Sequence, residues 1–308
     1  VIRIGTRGSA LALIQARAVA EAITAASGTP VELVKIATAG DRSVAPVVEL
    51  GVGVFVSALR DALAAKEVDV AIHSYKDLPT AAADGLCVAA VPERADPREA
   101  LVARDGLTLA QLPPGARIGT GAPRRVAQLR ALGRGLEPVP VRGNVDTRLR
   151  RVVEGELDAV VLARAGLLRL GRAGEATETI PADLVLPAPA QGALAVECRR
   201  DDTTLVELLS ALDHRATRAA IGAERALLST LEAGCSAPVA GLAEFVDDGQ
   251  LRLCGAVISP DGRRTIRQVR SGSVPDSAAA APAEQLGRDI AADLLAAGAD
   301  KILGSTEK

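Results

Sequence analysis

Three kinds of residue in this chain could do chemistry together: arginines held in turns, an acid at a strand end, and a cysteine in a turn. Arg7 lies in GTRGS, Arg124 and Arg125 in GTGAPRR, and Arg142 and Arg148 in RGNVDTR. Each stretch is a Gly/Ser/Thr-rich turn that follows a predicted strand and opens a helix. Free backbone N–H groups and the positive dipole end at such a start favour anions. A guanidinium added there grips a carboxylate or phosphate bidentately. The pattern implies a small ligand bearing several negative groups. Asp77 directly follows Lys76 at the C-terminal end of the predicted strand that leads into His73-Ser74-Tyr75. A carboxylate there could stabilise a cation or shuttle a proton; as a turn residue it could equally make local hydrogen bonds. Cys235 follows Glu232-Ala233-Gly234 at a predicted helix end and precedes Ser236-Ala237-Pro238. A thiol in that turn can be reached; an inert loop thiol is the alternative.

Composition narrows the partners. The chain has 31 arginines against five lysines, yet its formal net charge is only -2. Arginine is simply its preferred cation, and most arginines, including Arg17, Arg60 and Arg172, are expected on solvated helix faces. Position, not number, singles out the turn set. Near-neutral charge and 1% aromatic content argue against nucleic acid. Phe55, Phe245 and Tyr75 cannot build a stacking platform. Met and Trp are both absent, an unusual bias at 308 residues. No apolar run reads as long enough to span a membrane. No charged-then-apolar leader opens the chain, and Val1 leads straight into a strand. The expectation is a cytoplasmic soluble protein without a membrane partner. Cys87, Cys198 and Cys254 lie in apolar, strand-like runs as small buried hydrophobes. With no CxxC and only His73 and His214, zinc is not expected, and no metal is assigned.

The elements that must hold these residues alternate. Residues 1–6 read as a strand, Ser9 as the N-cap of a helix over 11–26, and residues 31–38 as a second strand. A Gly-rich stretch leads to a helix over 55–66, an apolar strand over 68–74 and the turn KDLPT. Alternation of this kind predicts an α/β fold with a parallel-rich sheet. The middle third repeats it. Arg3-Ile4-Gly5-Thr6 recurs as Arg117-Ile118-Gly119-Thr120, and Glu67-Val68-Asp69-Val70 as Glu156-Leu157-Asp158-Ala159. Two echoes in the same order predict two similar α/β lobes with a ligand cleft between them at strand C-termini. Residues 184–200 would return the chain to the first lobe through Pro-rich linker chemistry and a strand. Helices over about 202–213 and 216–232 follow, then three strands over 238–246, 250–258 and 264–272 and a helix near 280–298. That is a small C-terminal α/β domain with a three-stranded antiparallel sheet and Cys235 at its entry.

Motifs along essentially the whole chain resemble the porphobilinogen deaminase (hydroxymethylbilane synthase) family. They are RIGTRGSALALIQA, HSYKDLP, RIGTGAPRRVAQL, RGNVDTRL, ARAGLLRLG, APAQGALAVE and LEAGCSAPV. HSYKDLP, RGNVDTR and the Gly-Cys-x-x-Pro turn, in this order, are highly specific together. The resemblance implies three domains, the first two like periplasmic-binding-protein lobes: 1–93 with 190–213, then 97–188, then 216–308. It implies a transferase that joins four porphobilinogen molecules head to tail, losing ammonia each time, and releases hydroxymethylbilane by hydrolysis. A dipyrromethane cofactor would be joined through a thioether to Cys235. Asp77 would be the catalytic carboxylate, stabilising pyrrole N–H groups and the cationic azafulvene that forms as ammonia leaves. Ser74, Lys76, Asp77, Thr120, Arg124, Arg125, Arg142 and Gly192 would hold the cofactor. Arg7, Ser9, Gln15, Phe55, Arg142, Arg148, Arg169 and Gln191 would meet substrate. The family's state is a monomer.

Two departures stand out. Gly121 and Ala122 occupy positions where the family usually has hydroxyl residues, a loss of about 1 kcal/mol per missing donor. Val48 and Val52 stand where lysine is common before Phe55, which weakens electrostatic recruitment. A non-enzymatic two-lobed anion-binding protein explains lobes and arginines equally well, but not the third domain, Cys235 in a turn, or Asp77 inside an anion site. A chain with the family fold whose site changes abolish turnover is a third reading.

Overall fold

The two sequence echoes lead into neighbouring parallel strands that take the same two places, second and third, in two sheets of one topology. The computed structural model describes residues 1–38, 56–233, 237–247, 249–275 and 280–304. Contacts group them into two units, Val1–Ala95 with Gly192–Arg218, and Asp96–Gln191 with Ala219–Lys308.

The first unit is built on β1 (Ile2–Thr6), β2 (Val31–Lys35), β3 (Val70–Ser74), β4 (Leu86–Ala90) and the late strand β10 (Leu194–Arg199). Their order is β2-β1-β3-β10-β4. β1 runs parallel to β2 and β3, while β10 is antiparallel to both β3 and β4. The second unit uses β5 (Glu99–Ala103), β6 (Arg117–Gly119), β7 (Glu137–Val139), β8 (Ala159–Ala163) and β9 (Glu178–Ile180). Their order is β7-β6-β8-β5-β9, with β6 parallel to β7 and β8 and β5 antiparallel to β8 and β9. Order and sense match position for position. The sheets are mixed rather than simply parallel-rich, because one strand in each, β10 in the first and β5 in the second, runs antiparallel to its neighbours.

The echoes turn out to touch each other. The Asp69 carboxylate accepts from the Arg3 backbone N–H at 2.9 Å and from its guanidinium at 2.8 Å, while the Asp69 N–H donates to the Arg3 carbonyl. In the second unit Asp158 accepts from the Arg117 N–H at 2.7 Å and returns its own N–H to the Arg117 carbonyl. The glycine of each echo faces the apolar residue of the other. A Cβ on Gly5 would lie 3.1 Å from Val68, and one on Gly119 only 2.6 Å from Leu157. The repeated pattern is therefore a device for starting two parallel strands in register, at the sheet edge away from the functional turns.

Ser9 caps the helix Ala10–Ser27, accepting from the Ala12 N–H at 3.3 Å. Its buried stripe, Gln15, Ala16, Val19 and Ile23, packs on the sheet core with Ile4, Val70 and Val196. At 18 residues and mean hydropathy 1.2 this helix is long and apolar enough to cross a membrane by length and composition, which corrects the sequence reading. Eight of its residues are alanine, so the hydropathy comes from small side chains rather than a greasy run. The second strand stops at Lys35, short of the predicted residue 38, and the next helix is Ser57–Ala64.

The second unit also carries β11 (Val239–Asp247), β12 (Gln250–Ile258) and β13 (Thr265–Ser273), an antiparallel meander as predicted. The helix Ala281–Ala296 covers it, with Leu227, Leu253, Val257, Ile290 and Leu294 in one core. That cluster makes the meander a rigid support.

Candidate active site

In the first unit the C-terminal ends of β1 and β3 emerge side by side, because the strands are parallel neighbours. β1 leads to Arg7 and the capped helix; β3 leads to a single 3-10 turn, Tyr75–Asp77. The Tyr75 N–H donates to the Ala193 carbonyl, tying the turn to the strand beside it. Between these ends lies a small pocket lined by Arg7, Ala12, Gln15, Val56, Leu59, Ile72, His73, Ser74 and Asp77. Its lining mixes apolar and polar side chains. The Gln15 amide donates to the Ser74 hydroxyl at 3.2 Å, so both groups are held in place. The Asp77 carboxylate is half-buried, and no hydrogen bond reaches it among the described residues. An anion so placed is available to a passing cation.

Beneath the pocket, Glu197 on β10 is 2% exposed. It accepts from Arg60 at 2.9 Å and contacts the His73 ring at 3.1 Å. Burial pushes this carboxyl up, but the hydrogen bonds from His73 and Arg60 outweigh it and hold it below its ordinary value. Arg60 is thus not on a solvated face as the sequence reading has it; the guanidinium turns inward because a buried carboxylate requires a partner. Arg172 is half-buried and pairs with Glu175 and Asp146, whereas Arg17 is exposed as expected.

The second unit gathers arginines. Arg124 and Arg125 open the helix Pro123–Ala131 and are both buried. Glu99, fully buried at the start of β5, takes both: Arg124 Nη2 at 2.6 Å and Arg125 Nη2 at 2.7 Å. Arg124 also donates to the Leu186 carbonyl, and Arg125 to that of Val161. Asn144 caps the helix Val145–Val153, and Arg148 donates to the Gly143 carbonyl at 2.9 Å. Burial, together with the like charges of Arg125 and Arg142, lowers the Arg148 guanidinium to about 10. Arg142 Nη1 is buried with no hydrogen-bond partner among the described residues. Arg169 closes the helix Arg164–Arg169, and burial lowers it also to about 10.

The remaining sequence-predicted residues fall as follows. Thr120 is buried, and its hydroxyl accepts from the Ala122 N–H at 3.3 Å. A Cβ at Gly121 would lie 2.9 Å from the Val141 carbonyl oxygen, so this position suits glycine here. Lys76 is half-buried beside Asp77. Gln191 is buried, with its amide donating to the Pro97 carbonyl at 2.8 Å, and Gly192 has a φ of 90° that glycine adopts without strain. The chain returns to the first unit between these two residues. Cys235, Phe55, Val48 and Val52 lie outside the described residues. Sequence reasoning missed Glu99, Glu197 and the role of Arg60. The available signal was a carboxylate at the edge of an apolar run, in REALVA and ALAVEC.

Guanidiniums in one of the two matching sheets, and in the other a carboxylate with no hydrogen-bond partner among the described residues, suit a ligand that carries several anionic groups. Comparison with known proteins makes this specific. Residues 2–207 match the family "Porphobilinogen deaminase, dipyromethane cofactor binding domain", and residues 219–296 match "Porphobilinogen deaminase, C-terminal domain". Porphobilinogen deaminase of Nocardia farcinica is 57% identical, covering 98% of this chain and 88% of the relative. That of Mycobacterium tuberculosis is 56% identical over 98% of both chains. That of Thermobifida fusca is 56% identical over 98% of this chain and 95% of its own. Among solved structures, a periplasmic substrate-binding protein of Coxiella burnetii aligns over 70% of this chain and 94% of its own, at 16% identity and a TM-score of 0.45. The chain belongs to the porphobilinogen deaminase family.

Proposed function

We propose that this chain is a transferase that joins four porphobilinogen molecules head to tail, with loss of ammonia, and releases hydroxymethylbilane for tetrapyrrole synthesis. The observation that carries the residue-level reading is the cluster of Arg125, Arg142 and Arg148. Their like charges crowd one another, and a buried Arg142 nitrogen has no hydrogen-bond partner among the described residues. Such a cluster is stabilised when carboxylates enter it, because buried charge without a counter-ion is costly. Porphobilinogen and a dipyrromethane both carry acetate and propionate groups, so the donor set fits them. When bound, the dipyrromethane supplies the pyrrole carbon to which the first substrate unit is joined. Arg142 and Arg148 would hold carboxylates, with Arg124 and Arg125 as their buried support through Glu99. Arg7, Ser9 and Lys76 would add donors in the first unit. Asp77 would stabilise the positive charge that develops on substrate as ammonia departs. A fixed carboxylate in a partly dry pocket is more effective there than water. Cys235 would anchor the cofactor.

The intact mass of the purified protein tests this, with and without Cys235→Ser. The expected result is an excess of one dipyrrole on the parent that the variant lacks. A parent of bare polypeptide mass that stays bare after porphobilinogen is added would overturn the reading and favour the anion-binding alternative. The same reading takes the enzyme as a cytoplasmic monomer, which rests on the family alone; light scattering in solution tests the monomer.

A further inference from the structure

We propose that Cys87 and Cys198 form a dithiol that a hydroperoxide closes to a disulfide. The two residues are direct cross-strand partners on β4 and β10. Both are free thiols, and Cys87 packs against the core cluster that contains Cys198, so the two side chains share a face. Arg200 N–H donates to the Gly85 carbonyl at 2.8 Å, two residues along the same ladder. Alternation then makes Cys87 and Cys198 a hydrogen-bonded pair, whose Cα atoms lie about 5.5 Å apart in antiparallel sheets. A disulfide bridges Cα separations of roughly 4.4–6.8 Å, so the pair lies within bridging range.

The order of events follows from access. Cys198 is fully buried, whereas Cys87 is half-buried on the edge strand β4. Burial, with the neighbouring Cys87, pushes the Cys198 thiol up to about 12. Cys87 is therefore the thiol that meets oxidant. With hydrogen peroxide as the hydroperoxide, its sulfur attacks one oxygen and the O–O bond breaks; that oxygen stays as the sulfenic acid, and the other takes up the Cys87 thiol proton and leaves as water. The Cys198 sulfur then displaces hydroxide from the Cys87 sulfur. The hydroxide takes up the Cys198 proton and leaves as a second water. Two electrons pass from the sulfurs to the peroxide. The bridge ties the edge strand to β10 one residue from Glu197, which holds His73 and Arg60 under the pocket.

The test is peroxide treatment of the holoenzyme, blocking of remaining thiols, and tryptic mapping without reduction. The expected product is a linked pair of peptides, residues 77–94 and 173–199, lighter than their sum by two hydrogens and separated by a thiol reductant. Cys87→Ser, at the half-buried position, should leave Cys198 reduced after the same treatment. Cys198→Ala should carry Cys87 forward to sulfinic acid. Should that variant fail to fold, the parent map and Cys87→Ser decide the matter. Separate, unlinked peptides from the treated parent, a bridge to Cys235 or Cys254 instead, or oxidation of Cys198 in Cys87→Ser would each overturn the proposal.

Discussion

Replacing Glu99 by Gln keeps the volume of a fully buried side chain and removes its charge. The carboxylate accepts from Arg124 Nη2 at 2.6 Å, Arg125 Nε at 3.0 Å and Arg125 Nη2 at 2.7 Å. Both guanidiniums are only 6% exposed, so water cannot take over the lost charge. Breaking a buried pair by removing one partner costs roughly 3–5 kcal/mol. For a unit of this size each kcal/mol lowers the melting temperature by about 2–4 °C, so the variant should melt some 6–20 °C below the parent by calorimetry. A second variant separates stability from function. Replacing Glu99, Arg124 and Arg125 together by Leu, Met and Leu removes the buried charges as a set. Such replacements are often neutral within about 1–2 kcal/mol, so melting should recover most of the loss. Cofactor loading should not recover, because the positive charge that Arg125 adds beside Arg148 is gone. A Glu99→Gln protein that melts within about 2 °C of the parent would refute the reasoning, since it would mean that the two cations are not dependent on this carboxylate.

Three further outcomes are expected. Asp77→Asn should lower kcat by about 10²–10³-fold, the scale of losing one preorganised electrostatic group, while the melting temperature stays near the parent's because nothing bonds to the carboxylate; near-normal turnover would remove Asp77 from its role. Arg142→Leu should cost no stability, as one of its buried nitrogens lacks a partner, but should weaken carboxylate handling by roughly 1.5–3 kcal/mol; unchanged cofactor loading and elongation in stopped-flow and mass assays would count against it. For Asp69, burial raises the carboxyl, but hydrogen bonds from Arg3 and Arg199 bring it down from 3.8 to about 2. Its folded value lies below its unfolded one, so its stabilisation is present above about pH 4 and lost as pH falls through about 2. Asp69→Asn should flatten that limb of the urea midpoint against pH, and an unaltered acid limb would show that the ion pair does not matter.

The echoes in the sequence forecast the paired lobes because they are the contact itself: the glycine and arginine of one motif meet the apolar residue and aspartate of the other. Ser9 could be read as a cap because capping is local, needing only a hydroxyl before an apolar-periodic run. The turn arginines were legible as a set for the same reason. What the sequence could not yield is long-range pairing. Glu99 lies twenty-five residues from Arg124, and Glu197 lies 137 residues from Arg60. In REALVA and ALAVEC each glutamate looks like a solvent-facing residue at a strand end. Only the insertion of β5 and β10 into the middle of their sheets buries them. The antiparallel sense of those two strands was hidden likewise, since alternating strands and helices carry no mark of a strand that returns from elsewhere.

The distribution of compensation argues for function more firmly than any single residue. Where structure alone is at stake, arginine and acid are paired: Arg3 with Asp69, Arg104 with Asp158, Arg60 with Glu197. At the functional ends the matching is incomplete, and with opposite sign in the two units. The first unit has a carboxylate at Asp77 that no described group bonds. The second has Arg142 and Arg148, which no carboxylate meets among the described residues, beside a pair of arginines sharing one glutamate. A receptor for a simple anion needs only the second arrangement. A ligand with permanent carboxylates and a transient positive charge needs both. Head-to-tail addition with loss of ammonia generates that charge at each step, so the unmatched acid and the unmatched arginines are two requirements of one reaction.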